Sequence, residues 1–215
     1  MNITIGIVGK DLDQNQVITN NNLKYLHNKC NYLGILNYDN YDLIDTNIID
    51  LCDGIIIPGG ANIYPYHFHL LDYCYHHNIP VLGICMGHQI IGLYANNEKE
   101  ADLIKIDNHN DPNMKHLINI DENSILYNIF GDSMEVNSRH QYKLNNISAP
   151  FMISAVSPDD VIEAIEYIDE DHFLLGVEFH PEDLTTTENL YNYFLKEVLT
   201  RKLKKEQNKL TKNEE

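Results

Sequence analysis

The apolar positions of this chain fall into short runs separated by polar, turn-rich stretches. Residues 3–8 form a compact β-branched run that predicts a central strand, and residues 32–36 predict a second. Between them, residues 11–22 are polar and loop-like, and residues 23–29 fit a short helix. The stretch Asp53-Gly-Ile-Ile-Ile-Pro-Gly-Gly60 is an apolar run stopped by a proline and two glycines, as in a buried parallel strand ending in a tight loop. Residues 65–77 predict a helix with proline in its first turn, residues 80–85 another apolar strand, and residues 87–95 a helix. Residues 96–112 are polar and irregular around one small apolar stretch. Short strands are expected over 116–120, 134–137, 151–156, 161–168 and 173–179, with a last helix over 184–199. Strand–helix alternation followed by a strand-rich half predicts an α/β fold. The expected form is a flavodoxin-like, mostly parallel central sheet flanked by helices, with an added antiparallel strand section.

Composition narrows the classes of function. At 215 residues, 43% apolar and 22% charged, the chain can bury a core without disulfide or metal staples. Residues 1–200 read as one domain, with no internal repeat and no dividing linker. The net charge of −17 argues against nucleic acid and anionic membranes as partners, since both attract cations. No apolar run approaches the roughly 18 residues of a membrane span. The first ten residues lack the pattern of a signal peptide. Four cysteines, Cys30, Cys52, Cys74 and Cys85, show no CxxC spacing, so free thiols and a cytoplasmic location are expected. The 27 asparagines are scattered among apolar strands, which fits codon bias better than a prion-like tract. Arginine occurs only at Arg139 and Arg201, which draws attention to Arg139. Residues 201–215 hold six cations and three carboxylates; they read as a frayed or disordered basic tail, with an anchor for an acidic partner as the other reading.

Three segments carry candidate chemistry. In Gly83-Ile-Cys85-Met-Gly87-His-Gln89 an apolar strand runs into Cys85 and a helix follows at once, the layout of a nucleophile elbow. Glycines on both sides leave room for the sharp turn. A helix N-terminus and a neighbouring imidazolium would lower the thiol from its usual ~8.5 and give a thiolate at neutral pH; a small buried cysteine is the plainer alternative. In Gly176-Val-Glu-Phe-His180-Pro-Glu182, His180 and Glu182 lie two apart at a strand end. In extended backbone they share a face, so Glu182 can orient His180 as a base. The Pro58-Gly-Gly60 loop can aim an N–H at a ligand oxygen, or be a plain turn. With the N–H of Met86 it would form an oxyanion hole. The histidines at 67, 69, 76 and 77, with Cys74 nearby, lack a convincing ligand spacing, so no metal is expected, and the tyrosines at 64, 66, 73 and 75 read as helix packing.

These pieces, in this order, resemble the class I glutamine amidotransferase-like superfamily. Together with Val136-Asn-Ser-Arg-His140 and Pro58-Gly-Gly-Ala-Asn-Ile-Tyr-Pro65, they resemble its stand-alone γ-glutamyl-γ-aminobutyrate hydrolase-like branch, over residues 55–182. The resemblance implies Cys85, His180 and Glu182 as a catalytic triad, with Gly60 and Met86 as backbone oxyanion donors. It implies Gln89, Ser138 and His140 as holders of the α-amino and α-carboxylate groups of a small γ-glutamyl substrate. No cofactor is implied. Two positions depart from the branch: Met86 stands where arginine is common, and Gln141 follows His140 directly. The elbow is thus closer to ammonia-producing amidotransferases. Strand alternation puts Arg139 on the face opposite Ser138 and His140, where it could clamp a carboxylate or hold the loop by a salt bridge.

Three functions compete. The first is a cysteine-dependent hydrolase of γ-glutamyl amides working through a thioester. The second is a glutaminase subunit supplying ammonia to a separate synthase. The third is a non-catalytic binding protein on the same fold. A homodimer is left open.

Overall fold

A computed structural model describes residues 2–13, 15–37, 42–99, 102–169 and 171–212. The first half contains strands β1 (Thr4–Val8), β2 (Lys10–Leu12) and β3 (Asn15–Val17), the single-turn helix α1 (Asn20–Leu23), and β4 (Asn31–Ile35). Then come α2 (Thr46–Ile49), β5 (Gly54–Ile57), α3 (Pro65–His76), β6 (Val81–Ile84) and α4 (Met86–Ala95). The second half contains β7 (Leu103–Lys105), β8 (Asn110–Ile120), α5 (Ile125–Phe130), β9 (Ser133–Arg139) and β10 (Tyr142–Leu144). It closes with β11 (Met152–Val156), β12 (Ile162–Ile168), β13 (Phe173–Val177) and α6 (Glu188–Lys212).

Nine strands make one sheet in the order β4-β1-β5-β6-β13-β12-β11-β8-β9. The first five pair in parallel and the last four add on antiparallel. This is the mostly parallel sheet with an antiparallel section that the pattern predicts. β5, β6 and β13 are buried at every position, so they read as continuous apolar runs. Successive residues face opposite sides of the sheet. Ile56, Leu82, Leu175 and Val177 join an apolar cluster with Leu190, Phe194, Leu195 and Val198 of α6. Ile55, Ile57, Val81 and Leu174 join another with Leu70, Leu71 and Cys74 of α3 and Ile90 and Ile91 of α4.

Several expectations need correction. The loop expected over 11–22 contains the β2–β3 hairpin, and the helix expected over 23–29 forms earlier, over Asn20–Leu23. The side chain of Asn22 accepts from the Thr19 N–H at 3.2 Å and the Thr19 hydroxyl at 2.7 Å, fixing that start. Helix α5 and the β10–β7 pair occupy stretches read as irregular or left unread. The last helix does not stop at 199. It runs to Lys212, and residues 213–215 lie outside the described residues.

The cations of this last segment explain why it stays helical. Arg201 donates to the carbonyls of Asp169 and His172, both at 3.0 Å. Lys202 reaches the Asn2 carbonyl at 2.9 Å and Asp53 Oδ2 at 3.0 Å, and Lys205 reaches the His77 carbonyl at 2.6 Å. The basic residues thus dock the helix end on the body of the protein. Arg201→Ala should cost about 1–3 kcal/mol of unfolding free energy in urea titrations of the full chain. An unchanged midpoint would show that the helix end is not docked.

Candidate active site

Strands β5, β6 and β13 lie side by side and parallel, so the segments leaving their carboxyl ends come out together. Those segments are the Gly59-Gly60 loop, the Cys85 elbow and the His180 turn. Open α/β sheets bind ligands at this end.

Cys85 stands between β6 and α4 with φ 50° and ψ −102°, a strained conformation for a residue with a side chain. Close packing imposes it. A Cβ on Gly83 would fall 2.5 Å from the carbonyl of Gly87, and a Cβ on Gly87 would fall 2.1 Å from the Ile57 oxygen. The Cys85 N–H donates to the Val177 carbonyl at 2.8 Å, tying the elbow to β13. The Met86 N–H is hydrogen-bonded to the Cys85 sulfur.

His180 meets this sulfur-bearing side chain across Gly59. A Cβ on Gly59 would lie 2.6 Å from His180 Cε1 and 3.5 Å from Cys85 Cβ. The described residues show no sulfur–imidazole hydrogen bond; such bonds commonly tighten only when substrate is present. Glu182 Oε1 lies 2.8 Å from His180 Nδ1, which leaves Nε2 for chemistry. The expected extended geometry is not how they meet. β13 ends at Val177, and Pro181–Asp183 is a 3-10 turn that swings Glu182 back onto the ring. Pro181 suits the first position of that turn, where no N–H is needed.

Two polar residues have roles that sequence reasoning missed. Asn137 on β9 accepts from the His180 N–H at 2.8 Å and donates to the His180 carbonyl at 2.9 Å, clamping that backbone. Glu178 is fully buried; it takes His88 Nδ1 on one oxygen and the Gln89 amide at 2.7 Å on the other. A charged residue inside an apolar strand run, and a histidine inside an apolar helix, were the signals available.

Burial, and next the Glu178 carboxylate, push the Cys85 thiol well above its ordinary value, opposed by the Met86 N–H. The thiolate expected from the elbow layout is therefore not the resting form. The helix N-terminus is outweighed by desolvation and two nearby carboxylates, Glu178 and Glu182.

A cavity of about 710 Å³ opens on Cys85, lined also by Gly60, Met86, Gln89, Glu98 and Arg139. The Met86 side chain covers Gly60, with Sδ 2.8 Å from where a Cβ would stand. Both Gln89 amide protons are used, one on Glu178 and one on the Tyr142 carbonyl at 3.3 Å, so only its oxygen can meet a ligand. Ser138 does not face the cavity: it is fully buried, and its hydroxyl donates to the His109 carbonyl at 2.9 Å. His140 borders the cavity, but its ring is buried, with Nδ1 2.9 Å from the Tyr142 carbonyl and Nε2 3.2 Å from His109 Nδ1. Alternation along β9 does the rest. Arg139 turns to the cavity side and forms a salt bridge to Asp183. The missed β2–β3 hairpin braces the loop after β5, through Asp11 to Asn62 at 3.0 Å and to the Tyr64 hydroxyl.

The histidines on α3 keep to local partners. His67 Nδ1 accepts from the Tyr64 N–H at 3.0 Å and His69 Nδ1 from the Ile44 N–H at 3.2 Å, while His76 and His77 turn to carbonyls one turn back. No helix among the described residues is long and apolar enough to cross a membrane.

Fold and site together define a nucleophile-elbow α/β protein with cysteine at the elbow. The family described as Peptidase C26 matches residues 66–182. Protein NtpR of Enterococcus hirae is 27% identical over 182 residues, covering 69% of this chain and 76% of that protein. The glutamine-hydrolyzing subunit of GMP synthase from Methanosphaera stadtmanae is 30% identical over 172 residues, covering 77% of this chain and 87% of its own. The crystal structure of a putative GMP synthase subunit from Thermoplasma acidophilum superposes with TM-score 0.71 at 21% identity, covering 95% of this chain and 98% of that one. The chain belongs to the Peptidase C26 family, a class I glutamine amidotransferase-like family of hydrolases.

The raised thiol pKa gives a direct test. Alkylation of Cys85 by iodoacetamide should be slow at pH 7 and keep rising with pH beyond the range of an ordinary thiol. A plateau reached below neutral pH would show a resting thiolate and contradict the electrostatics described.

Proposed function

We propose that this protein is a cysteine-dependent hydrolase that cleaves the γ-glutamyl amide bond of a small γ-glutamyl compound. The observation that carries the reading is the strained Cys85 elbow, set against the Glu182-oriented ring of His180 across Gly59.

The Cys85 thiol passes its proton to His180 Nε2 as the sulfur attacks the γ-carbonyl carbon. Coupling attack to proton transfer suits a thiol whose resting form is neutral. The carbonyl oxygen becomes an oxyanion, held by the backbone N–H groups of Met86 and Gly60. One such donor contributes roughly 3–4 kcal/mol in the transition state. His180 then protonates the departing amine, the C–N bond breaks and a γ-glutamyl thioester remains. Water, losing a proton to His180, attacks the thioester; glutamate leaves and the sulfur recovers its proton. Glu182 holds the ring and stabilises its cation throughout.

For the glutamyl α-groups, the cavity offers complementary charge. The Arg139 guanidinium suits the α-carboxylate, and the Gln89 oxygen with the Glu98 carboxylate suits the α-ammonium. Ser138 acts behind this surface rather than on it. A cavity of this size lies in the range that holds drug-sized ligands, so the leaving amine can be larger than ammonia.

A specific observation favours a second reading: the similarity to a protein named as the glutamine-hydrolyzing part of GMP synthase. There the same chemistry would act on glutamine and pass ammonia to a separate synthase. Either reading suits a cytoplasmic setting.

The test is a panel of γ-glutamyl amines and glutamine, assayed for released glutamate with the purified chain. The proposal expects turnover of one or more γ-glutamyl amines without any partner, abolished in Cys85→Ala. Only weak glutamine hydrolysis that rises with an added synthase would favour the second reading, and no thiol-dependent turnover would leave a binding protein. On the best substrate, Arg139→Gln should raise KM roughly 10- to 100-fold with a smaller change in kcat, as loss of a charged hydrogen bond predicts. An unchanged KM would remove Arg139 from the binding site.

A further inference from the structure

Outside the proposed reaction, three histidines and one glutamate converge among the antiparallel strands. His109 precedes β8, His116 lies on β8, His140 follows β9 and Glu163 lies on β12. Glu163 Oε1 is 3.3 Å from His116 Nε2, 3.6 Å from His109 Nδ1 and 3.6 Å from His140 Nε2. His109 Nδ1 and His140 Nε2 are 3.2 Å apart. The ligand atoms of His109, His140 and Glu163 all lie within 4.8 Å of one another, and His116 joins them through Glu163. Glu163 is fully buried, and among the described residues neither of its oxygens has a hydrogen-bond partner; nor does His116 Nε2.

The outward nitrogens show which way the protons point. His109 Nε2 faces Asp159 Oδ2 at 3.0 Å, His140 Nδ1 faces the Tyr142 carbonyl at 2.9 Å, and His116 Nδ1 faces the Leu117 carbonyl at 3.2 Å. Each of these partners is an acceptor, so each ring keeps a proton on its outer nitrogen. Such carboxylate and carbonyl partners are the usual supports of metal-bound imidazoles. The inner nitrogens are left with lone pairs. The Ser138 hydroxyl comes within 3.0 Å of His109 Nδ1, but its single proton goes to the His109 carbonyl. Three lone pairs and a carboxylate, all acceptors, thus meet in a dry interior, where they repel unless a cation lies between them.

The spacing suits a metal ion. Tetrahedral ligands at about 2.0–2.1 Å from zinc stand about 3.4 Å from one another, and the four distances here run from 3.2 to 3.6 Å. We propose that His109, His116, His140 and Glu163 bind one divalent transition-metal ion, zinc by preference, in a closed structural site. Three imidazoles and a carboxylate match that ion's donor preferences, and four protein ligands leave no open position for a substrate. The ion fastens β8, the end of β9 and β12 together. β9 carries Asn137, so the ion braces the strand that clamps His180 without touching the reaction. This inference stands independently of the substrate proposed above.

Protons are the competing cations. Burial pulls the His140 pKa down, but Glu163 and Glu178 outweigh it and raise it to about 9. The experiment separates the two. The full chain, without a histidine tag, is equilibrated with zinc, passed through gel filtration and measured for metal by mass spectrometry. The proposal expects one zinc per chain, and with cobalt in its place the visible absorption bands of a tetrahedral ion. His116→Ala should lose the ion. Asp159→Asn alters only the support of His109 from a half-exposed position, so it should keep the fold and weaken zinc affinity roughly 10- to 100-fold. Cys85→Ala should keep the ion in full. Wild-type protein that retains no zinc and shows no cobalt bands would overturn the proposal in favour of protonated histidines. Zinc retained in His116→Ala, unweakened in Asp159→Asn, or lost in Cys85→Ala would also overturn it.

Discussion

The contact between Gly87 and the Ile57 carbonyl governs the geometry of the site. It lets the first turn of α4 press onto the end of β5, with Gly83 equally close beneath Gly87. Nothing bulkier fits on either glycine, and the chain between them has one residue in which to reverse. Cys85 takes up that reversal in a backbone conformation that costs about 1–3 kcal/mol. The fully buried strands on either side supply the packing that holds it. The strain has a use: it projects the sulfur beyond the sheet, toward the loops that leave β5 and β13. The Gly59 loop and His180 reach the same place because their strands flank β6.

A second layer holds the base in position. Asn137 clamps the His180 backbone and Glu182 holds its ring, so histidine is fixed from two independent elements. Glu178 works in the opposite sense on the sulfur. Its buried charge disfavours a resting thiolate, and it also locks His88 and Gln89 into α4. The site therefore keeps its nucleophile protonated until a carbonyl is in place. That arrangement protects a buried thiol from reacting without substrate.

The parallel half of the fold was legible because its strands are buried on both faces and read as unbroken β-branched runs. Residues 54–57, 81–84 and 173–177 could hardly be anything else. The small elements were not legible. The β2–β3 hairpin has three residues per strand and no apolar alternation, and α5 is a turn and a half long. The helical tail misled for a different reason. Its composition resembles a solvated end, and only the carbonyls and the Asp53 carboxylate that receive its cations, far away in sequence, explain its order. In the site, Cys85, His180 and Glu182 were readable because glycines and a proline flag their turns. Ser138 and His140 were misplaced because a bulged pairing of β8 with β9 and the contacts of His109 decide which face they take. The His109–His116–His140–Glu163 cluster could not be read at all: its members come from separate segments with no ligand spacing, and only the sheet order brings them together.

The central claim is that Cys85, among four free cysteines, is the reacting one. Burial raises the thiols of Cys52, to about 11, and Cys74, so neither should compete in a substrate-like pocket. Peptide mapping by mass spectrometry after treatment with an electrophilic glutamine analogue tests this directly. The predicted result is a single adduct, on Cys85, that free glutamate suppresses and that His180→Ala slows. An adduct on Cys30, Cys52 or Cys74 with Cys85 unmodified would contradict it.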